Sequence, residues 1–206
     1  MARLNWQVVE CAPRVSEPFD HIFIDQALEP GGEAEIERDY PGIRSSGSFS
    51  LADARPGGAV MELVEDLKSE RLRCCCERTF GVELAGLPAM VTLRGQCAAR
   101  DGKVHTDSRS KVLSLLLYLN AGWTSAEGQL RLLRGPDDLD SPVVEVPAHM
   151  GALVAFLRTD NSWHGHTRYV GQRRVMQLNY LRSERASLFS SLRHRASALT
   201  KRREAA

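Results

Sequence analysis

One nine-residue run restricts the fold more than any other feature of the chain. In Val112-Leu113-Ser114-Leu115-Leu116-Leu117-Tyr118-Leu119-Asn120, the positions Leu113, Leu115, Leu117 and Leu119 form one wholly apolar face. Val112, Ser114, Leu116 and Tyr118 form the other. Side chains of a strand alternate with a period of two, so the run reads as a strand buried on both sides, with polar groups on one. The segment Arg173 to Tyr180 divides in the same way, Arg174, Met176, Leu178 and Tyr180 against Arg173, Val175, Gln177 and Asn179. This suits a sheet with helices packed on one face and a partly polar cavity on the other. Tyr118 and Arg173 then point into the cavity, and Arg174 lies outside it.

The rest of the chain supplies support for such a sheet. Its 206 residues fit one domain, and 43% hydrophobic residues suffice for a core. His21-Ile22-Phe23-Ile24 is a β-type run within a strand, followed by the start of a helix, over Phe19 to Ala27. Glu33 to Tyr40 reads as a short helix, and Ser45-Ser46-Gly47-Ser48 as a loop. Gly58 to Thr79 reads as one helix burying Val60, Leu63, Val64, Leu67 and Cys74 or Cys75. Glu62, Glu65, Asp66, Lys68, Glu70 and Arg73 fall on its solvated side. Ala89 to Leu93 is a short strand. The tail carries Leu188, Leu192, Ala196 and Leu199 at helical spacing beside seven basic residues, reading as a docked helix with a solvated basic face.

Composition excludes several classes. A formal net charge of +1 signals neither nucleic acid nor an anionic membrane. No run of eighteen apolar residues could span a bilayer, and Met1 to Trp6 lacks an apolar signal core. Five cysteines, three adjacent at Cys74-Cys75-Cys76, suit neither a disulfide framework nor zinc spacing, so a cytoplasmic location is expected. The acidic turn Gly135-Pro136-Asp137-Asp138 lacks the alternating ligands of a calcium loop.

The chemistry-bearing residues are His105-Thr106-Asp107 and a distal histidine. In an extended segment, positions i and i+2 share a side, so His105 and Asp107 can reach one metal ion. Two histidines and one carboxylate with open positions make the facial triad of a mononuclear iron(II) site. His164 lies 57 residues beyond Asp107, with His149 and His166 as rivals for the third position.

The surroundings resemble the iron(II)- and 2-oxoglutarate-dependent dioxygenases of the prolyl-4-hydroxylase-like branch over about residues 88–182. Lys111 to Asn120 resembles the family's strand ending Tyr-Leu-Asn. Glu127-Gly128-Gln129-Leu130 resembles its Gly-Gly-x-Leu turn, with Glu127 in place of the first glycine. Pro147 to Phe156 resembles Pro-x-x-Gly-x-Leu-x-x-Phe, Trp163-His164-Gly165 the distal ligand, and Gly171-Gln172-Arg173 the Gly-x-Arg cosubstrate anchor. The family pattern selects His164, between Trp and Gly and nine residues ahead of the arginine. Arg94 departs from it, since members often carry a tyrosine near that position.

The resemblance implies a mainly β double-stranded β-helix, or jelly roll, with supporting helices. Within a single domain over 1–206, helical support spans about 1–86, the jelly-roll core about 87–182 and a C-terminal helix about 183–203. It implies that His105, Asp107 and His164 hold Fe(II), that Arg173 and Tyr118 bind the far carboxylate of 2-oxoglutarate, and that ascorbate is a candidate reductant. The expected activity is dioxygen-dependent hydroxylation of an unactivated C–H bond in a small molecule or biosynthetic intermediate. The alternatives are a peptidyl-prolyl hydroxylase acting on protein and a non-oxidative metal-binding jelly-roll module. A cupin-like module would carry His-x-His with a nearby Glu and would not need the Gly-x-Arg anchor. No nucleic-acid partner or membrane span is expected, and oligomeric state is left open. Substrate choice falls to the loops 41–57, 94–104 and 121–128.

Overall fold

A computed structural model describes residues 2–183; the helix expected near the C-terminus lies outside the described residues. Up to residue 86 the elements are α1 (Trp6–Cys11), β1 (His21–Ile24), α2 (Glu33–Asp39), β2 (Phe49–Ser50), α3 (Leu51–Ala54), α4 (Gly58–Lys68) and α5 (Glu70–Phe80). Seven strands follow: β3 (Ala89–Cys97), β4 (Lys111–Tyr118), β5 (Leu130–Leu133), β6 (Val144–Val146), β7 (Leu153–Leu157), β8 (Trp163–Gly165) and β9 (Gly171–Leu181). They form an antiparallel six-stranded sheet, β1-β7-β4-β9-β3-β2, and a three-stranded sheet, β6-β5-β8. This is the expected jelly roll, with two facing sheets that do not close into one barrel. No described helix is long and apolar enough to cross a membrane.

The strand parity sorts the core into two layers. Leu113, Leu115 and Leu117 of β4, with Met176, Leu178 and Tyr180 of β9, pack against Leu63 and Leu67 of α4 and Leu72 and Phe80 of α5. On the opposite face Leu116, Tyr118, Phe156 and Val175 meet Leu130, Leu132 and Val146 from the smaller sheet. Each such leucine contributes on the order of 1.5–3 kcal/mol by leaving water, an upper estimate for a compact unfolded chain. The helix layer therefore braces the larger sheet, and the inter-sheet space is left for the site.

Four local expectations are corrected. The helix read over Gly58 to Thr79 is two helices, broken at Ser69, whose ψ of 150° is extended. Ser69 Oγ donates to the Asp66 carbonyl at 2.7 Å and accepts from Leu72 N at 3.2 Å, closing one helix and capping the next. Asp66, assigned to the solvated side, is buried. Its carboxylate accepts from Leu4 N at 2.9 Å and pairs with Arg3 at 2.6 Å, so the N-terminal segment covers it. β3 continues beyond Leu93 to Cys97, with a register irregularity between Arg94 and Gln96. No helix begins near Ala27. The N-terminal part also supplies both edge strands of the larger sheet, β1 and β2, alongside its helices.

Candidate metal and cosubstrate site

The segment between β3 and β4 passes beside β8 and places His105 opposite His164. Each backbone N–H of the pair donates to the other's carbonyl at 3.0 Å, and the imidazole centroids lie 4.4 Å apart. Asp107 follows two residues on. Ligand-capable atoms of His105, Asp107 and His164 all lie within 4.8 Å of one another, the one such group among the described residues.

The hydrogen bonds around each group suit a metal. His105 Nδ1 lies 2.8 Å from the Lys103 carbonyl, and His164 Nδ1 lies 2.9 Å from the Ser162 carbonyl. A carbonyl only accepts, so both Nδ1 atoms carry a proton, which leaves Nε2 as the ligand atom of each ring. Burial lowers His164 to about 4, so it is neutral near pH 7. Burial opposes ionisation of Asp107, yet the Lys111 ammonium, His164 and the Ser114 hydroxyl together outweigh it and the carboxyl falls to about 2. Lys111 Nζ holds one carboxylate oxygen at 2.7 Å and Ser114 Oγ donates to the other at 2.5 Å. Ser114 Oγ also lies 3.0 Å from Asn179 Oδ1, which accepts from Gln177 Nε2 at 3.1 Å. Arg158 Nε donates to the Asp107 backbone carbonyl at 3.0 Å. Two imidazoles whose Nδ1 atoms are engaged by carbonyls and one buried, ionised carboxylate fit a divalent first-row metal with open positions.

Arg173 and Tyr118 meet on neighbouring strands. Arg173 Nε donates to the Gly128 carbonyl at 2.7 Å, and an Nη donates to the Tyr118 hydroxyl at 3.1 Å. Both side chains are buried. Gly128 has φ +77°, and a Cβ there would stand 2.8 Å from Tyr169, so this carbonyl depends on glycine. Arg174 lies on the opposite face, as the parity required, but over the Tyr40 ring at 5.2 Å rather than in water. A cavity of about 380 Å³ has the triad and Arg173 in its wall, with Leu116 and Leu130 between polar groups. Ser48 and residues 100–103 also line it, from the first two of the three loops assigned to substrate choice.

The rival histidines are engaged elsewhere. His166 Nδ1 faces the Thr167 carbonyl at 2.7 Å and its Nε2 faces Cys97 Sγ at 3.8 Å. His149 Nε2 lies 3.0 Å from Asp25. Sequence reasoning missed Lys111, Ser114 and Asn179 around Asp107, and the Gly128 carbonyl behind Arg173. Only strand parity, which puts Ser114 and Asn179 on the cavity face, hinted at any of them.

Residues 95–182 match the model of the 2OG-Fe(II) oxygenase superfamily, a span holding His105, Asp107, Tyr118, His164 and Arg173. The match covers the jelly-roll core, somewhat under half of the chain, and marks that core as one of the 2OG-Fe(II) oxygenase type. That core is the one of an enzyme, an oxygenase using Fe(II) and 2-oxoglutarate. No curated protein matches it in sequence. Among solved structures it is similar to a Pseudomonas putida prolyl-4-hydroxylase (18% identity, TM-score 0.53, covering 86% of this chain and 93% of that one). It also resembles a Trichoplax adhaerens prolyl hydroxylase in complex with a hypoxia inducible factor peptide fragment (16%, TM-score 0.51, 90% of each chain). A third is the viral collagen prolyl hydroxylase of Paramecium Bursaria Chlorella virus-1, in a 2OG complex (12%, TM-score 0.54, 80% of this chain and 96% of that one). At these identities the likeness is one of fold.

Proposed function

We propose that this oxygenase hydroxylates an unactivated C–H bond of a small molecule or biosynthetic intermediate. In this reading His105 Nε2, His164 Nε2 and the Asp107 carboxylate hold Fe(II), and Arg173 with Tyr118 takes the far carboxylate of 2-oxoglutarate. The bound metal and cosubstrate supply the oxidising chemistry, consuming dioxygen and releasing succinate and carbon dioxide. The chain's own work is positioning. Lys111 and Ser114 fix the two oxygens of Asp107, the Lys103 and Ser162 carbonyls fix the imidazole tautomers, and Gly128 aims the guanidinium, whose planar fork suits a carboxylate. Leu116 and Leu130 give the cavity an apolar wall. The observation that carries the reading is the convergence of the His105–Asp107–His164 group and a buried Arg–Tyr pair on one cavity of about 380 Å³, a size suited to small ligands.

Peptidyl-prolyl hydroxylation is the second reading, favoured by the fold likeness to prolyl hydroxylases. The common core of both is tested by oxygen- and iron-dependent succinate release from the purified protein, stopped by N-oxalylglycine and absent in Asp107→Ala. A manganese(II) form unable to bind 2-oxoglutarate would refute the site assignment.

A further inference from the structure

The cavity wall is more basic than the metal and cosubstrate require. Arg100 is engaged by a partner of its own. Arg94, Lys103, Lys111 and Arg173 then face only the carboxylates of Asp101 and Asp107, an excess of two positive charges. A divalent metal and the dianionic cosubstrate cancel one another, so the excess survives their binding. Lys111 is committed to Asp107, and Arg173 is committed to Tyr118 and Gly128. Arg94 and Lys103 are left facing the remaining space.

Arg94 is held as a recognition group would be. Its carbonyl accepts from the Tyr40 hydroxyl at 2.7 Å. The next residue, Gly95, sits so close beneath Ile43 that a Cβ would stand 2.5 Å from it. This backbone is therefore fixed while the side chain enters the cavity. Among the described residues no carboxylate lies within ion-pairing distance of Arg94; Asp101 acts on it from further off, and its Oδ2 is taken by Ala98 N at 2.8 Å. Burial, and then Arg173, push the Arg94 guanidinium below its ordinary range, the sign of a cation awaiting a counter-charge. β3 and β4 flank β9 on opposite sides, and Arg94 and Tyr118 are both registered opposite Val175, so Arg94 enters the cavity from across β9, beside the Arg173–Tyr118 pair.

We propose that Arg94, assisted by Lys103, forms a second anion subsite in this cavity, and that the substrate is a small molecule bearing a carboxylate or phosphate. The proposal rests on the small-molecule oxygenase reading and narrows it. A neutral prolyl peptide would leave a partly buried arginine uncompensated, which costs far more than an exposed one.

The test uses the full chain with manganese(II) in place of iron, saturated with N-oxalylglycine so that the Arg173 anchor is filled. Inorganic phosphate is titrated in and its phosphorus relaxation is followed, because a nucleus held in this cavity is relaxed by the nearby manganese. Wild type should show saturable relaxation. Arg94→Gln should weaken phosphate binding about tenfold or more, and Arg94→Lys and Lys103→Gln by only about two- to fivefold, charge without the fork or a helper lost. N-Oxalylglycine affinity should stay within about twofold in all three variants. Lys103 is exposed, so its variant guards against a folding artefact. Unchanged phosphate binding in Arg94→Gln overturns the subsite. A parallel loss of N-oxalylglycine affinity overturns it too, by making Arg94 a cosubstrate ligand. A proline-containing peptide that binds the complex without competition from phosphate overturns it in favour of the peptide reading. Failure of the manganese form to take N-oxalylglycine at all overturns the oxygenase site together with the proposal.

Discussion

Replacing Arg173 by leucine tests the cosubstrate anchor most directly. The native guanidinium is 5% exposed and already spends two donors on Gly128 and Tyr118. It is therefore immobilised before 2-oxoglutarate arrives, and little ordering entropy is lost on binding. Leucine leaves the far carboxylate without a cation in a buried site, a loss on the order of 2–5 kcal/mol. The dissociation constant should rise by a factor of roughly thirty to several thousand. Arg174 gives the matched control. It stacks over Tyr40 on the far face of β9, so Arg174→Leu should lose about 0.5–1 kcal/mol of stability and leave cosubstrate affinity within about twofold. Tyr118→Phe removes one hydroxyl from the anchor and should fall between, at about fivefold. Anaerobic titration calorimetry of the manganese form measures all three directly. Equal small effects at positions 173 and 174 would refute the strand-parity argument that separates them.

Three further outcomes are expected. Alanine at His105, Asp107 or His164 should abolish one-to-one manganese binding in calorimetry, whereas His166→Ala should retain it; the reverse result would identify His166 as the ligand. Ser69→Ala should lower unfolding free energy by about 1 kcal/mol in denaturant titration, since the α5 cap and its link to Asp66 are both lost. Burial lowers His166 from 6.5 to about 4, so its unfolded form takes up a proton at higher pH than its folded form. Acidification from pH 7 toward 4 should therefore cost stability, up to about 3 kcal/mol from this residue, and His166→Asn should flatten that slope. Asp107 has the opposite sign: its contribution, present above the ordinary 3.8, is lost only as pH falls toward 2.

Parity alone placed Tyr118 and Arg173 inside and Arg174 outside, because a strand flanked by close-packed layers has no freedom to turn a side chain over. The pairing of His105 with Asp107 was legible because one metal site demands a short spacing, whereas His164 stood out from His149 and His166 only through its resemblance to the family's Trp-His-Gly pattern. What surrounds them was not. Lys111 and Ser114 reach Asp107 only because the chain doubles back into β4. Gly128 meets Arg173 across 45 residues, and nothing in its own neighbourhood says that its carbonyl faces inward. Asp66 looked solvated because the segment that covers it is set by tertiary packing, not by helical period. Ser69 was hidden because an isolated serine inside a periodic pattern is compatible with an unbroken helix.

The reciprocal pairing of His105 with His164 gives the site its own gauge. Each amide proton is shielded by the opposite residue's carbonyl, so deuterium can replace it only when the two imidazole-bearing backbones part. The exchange rates of these two amides should move together and report how often the metal cradle opens. A bound ion, holding the same two residues through their rings, should slow both without changing any contact between the backbones.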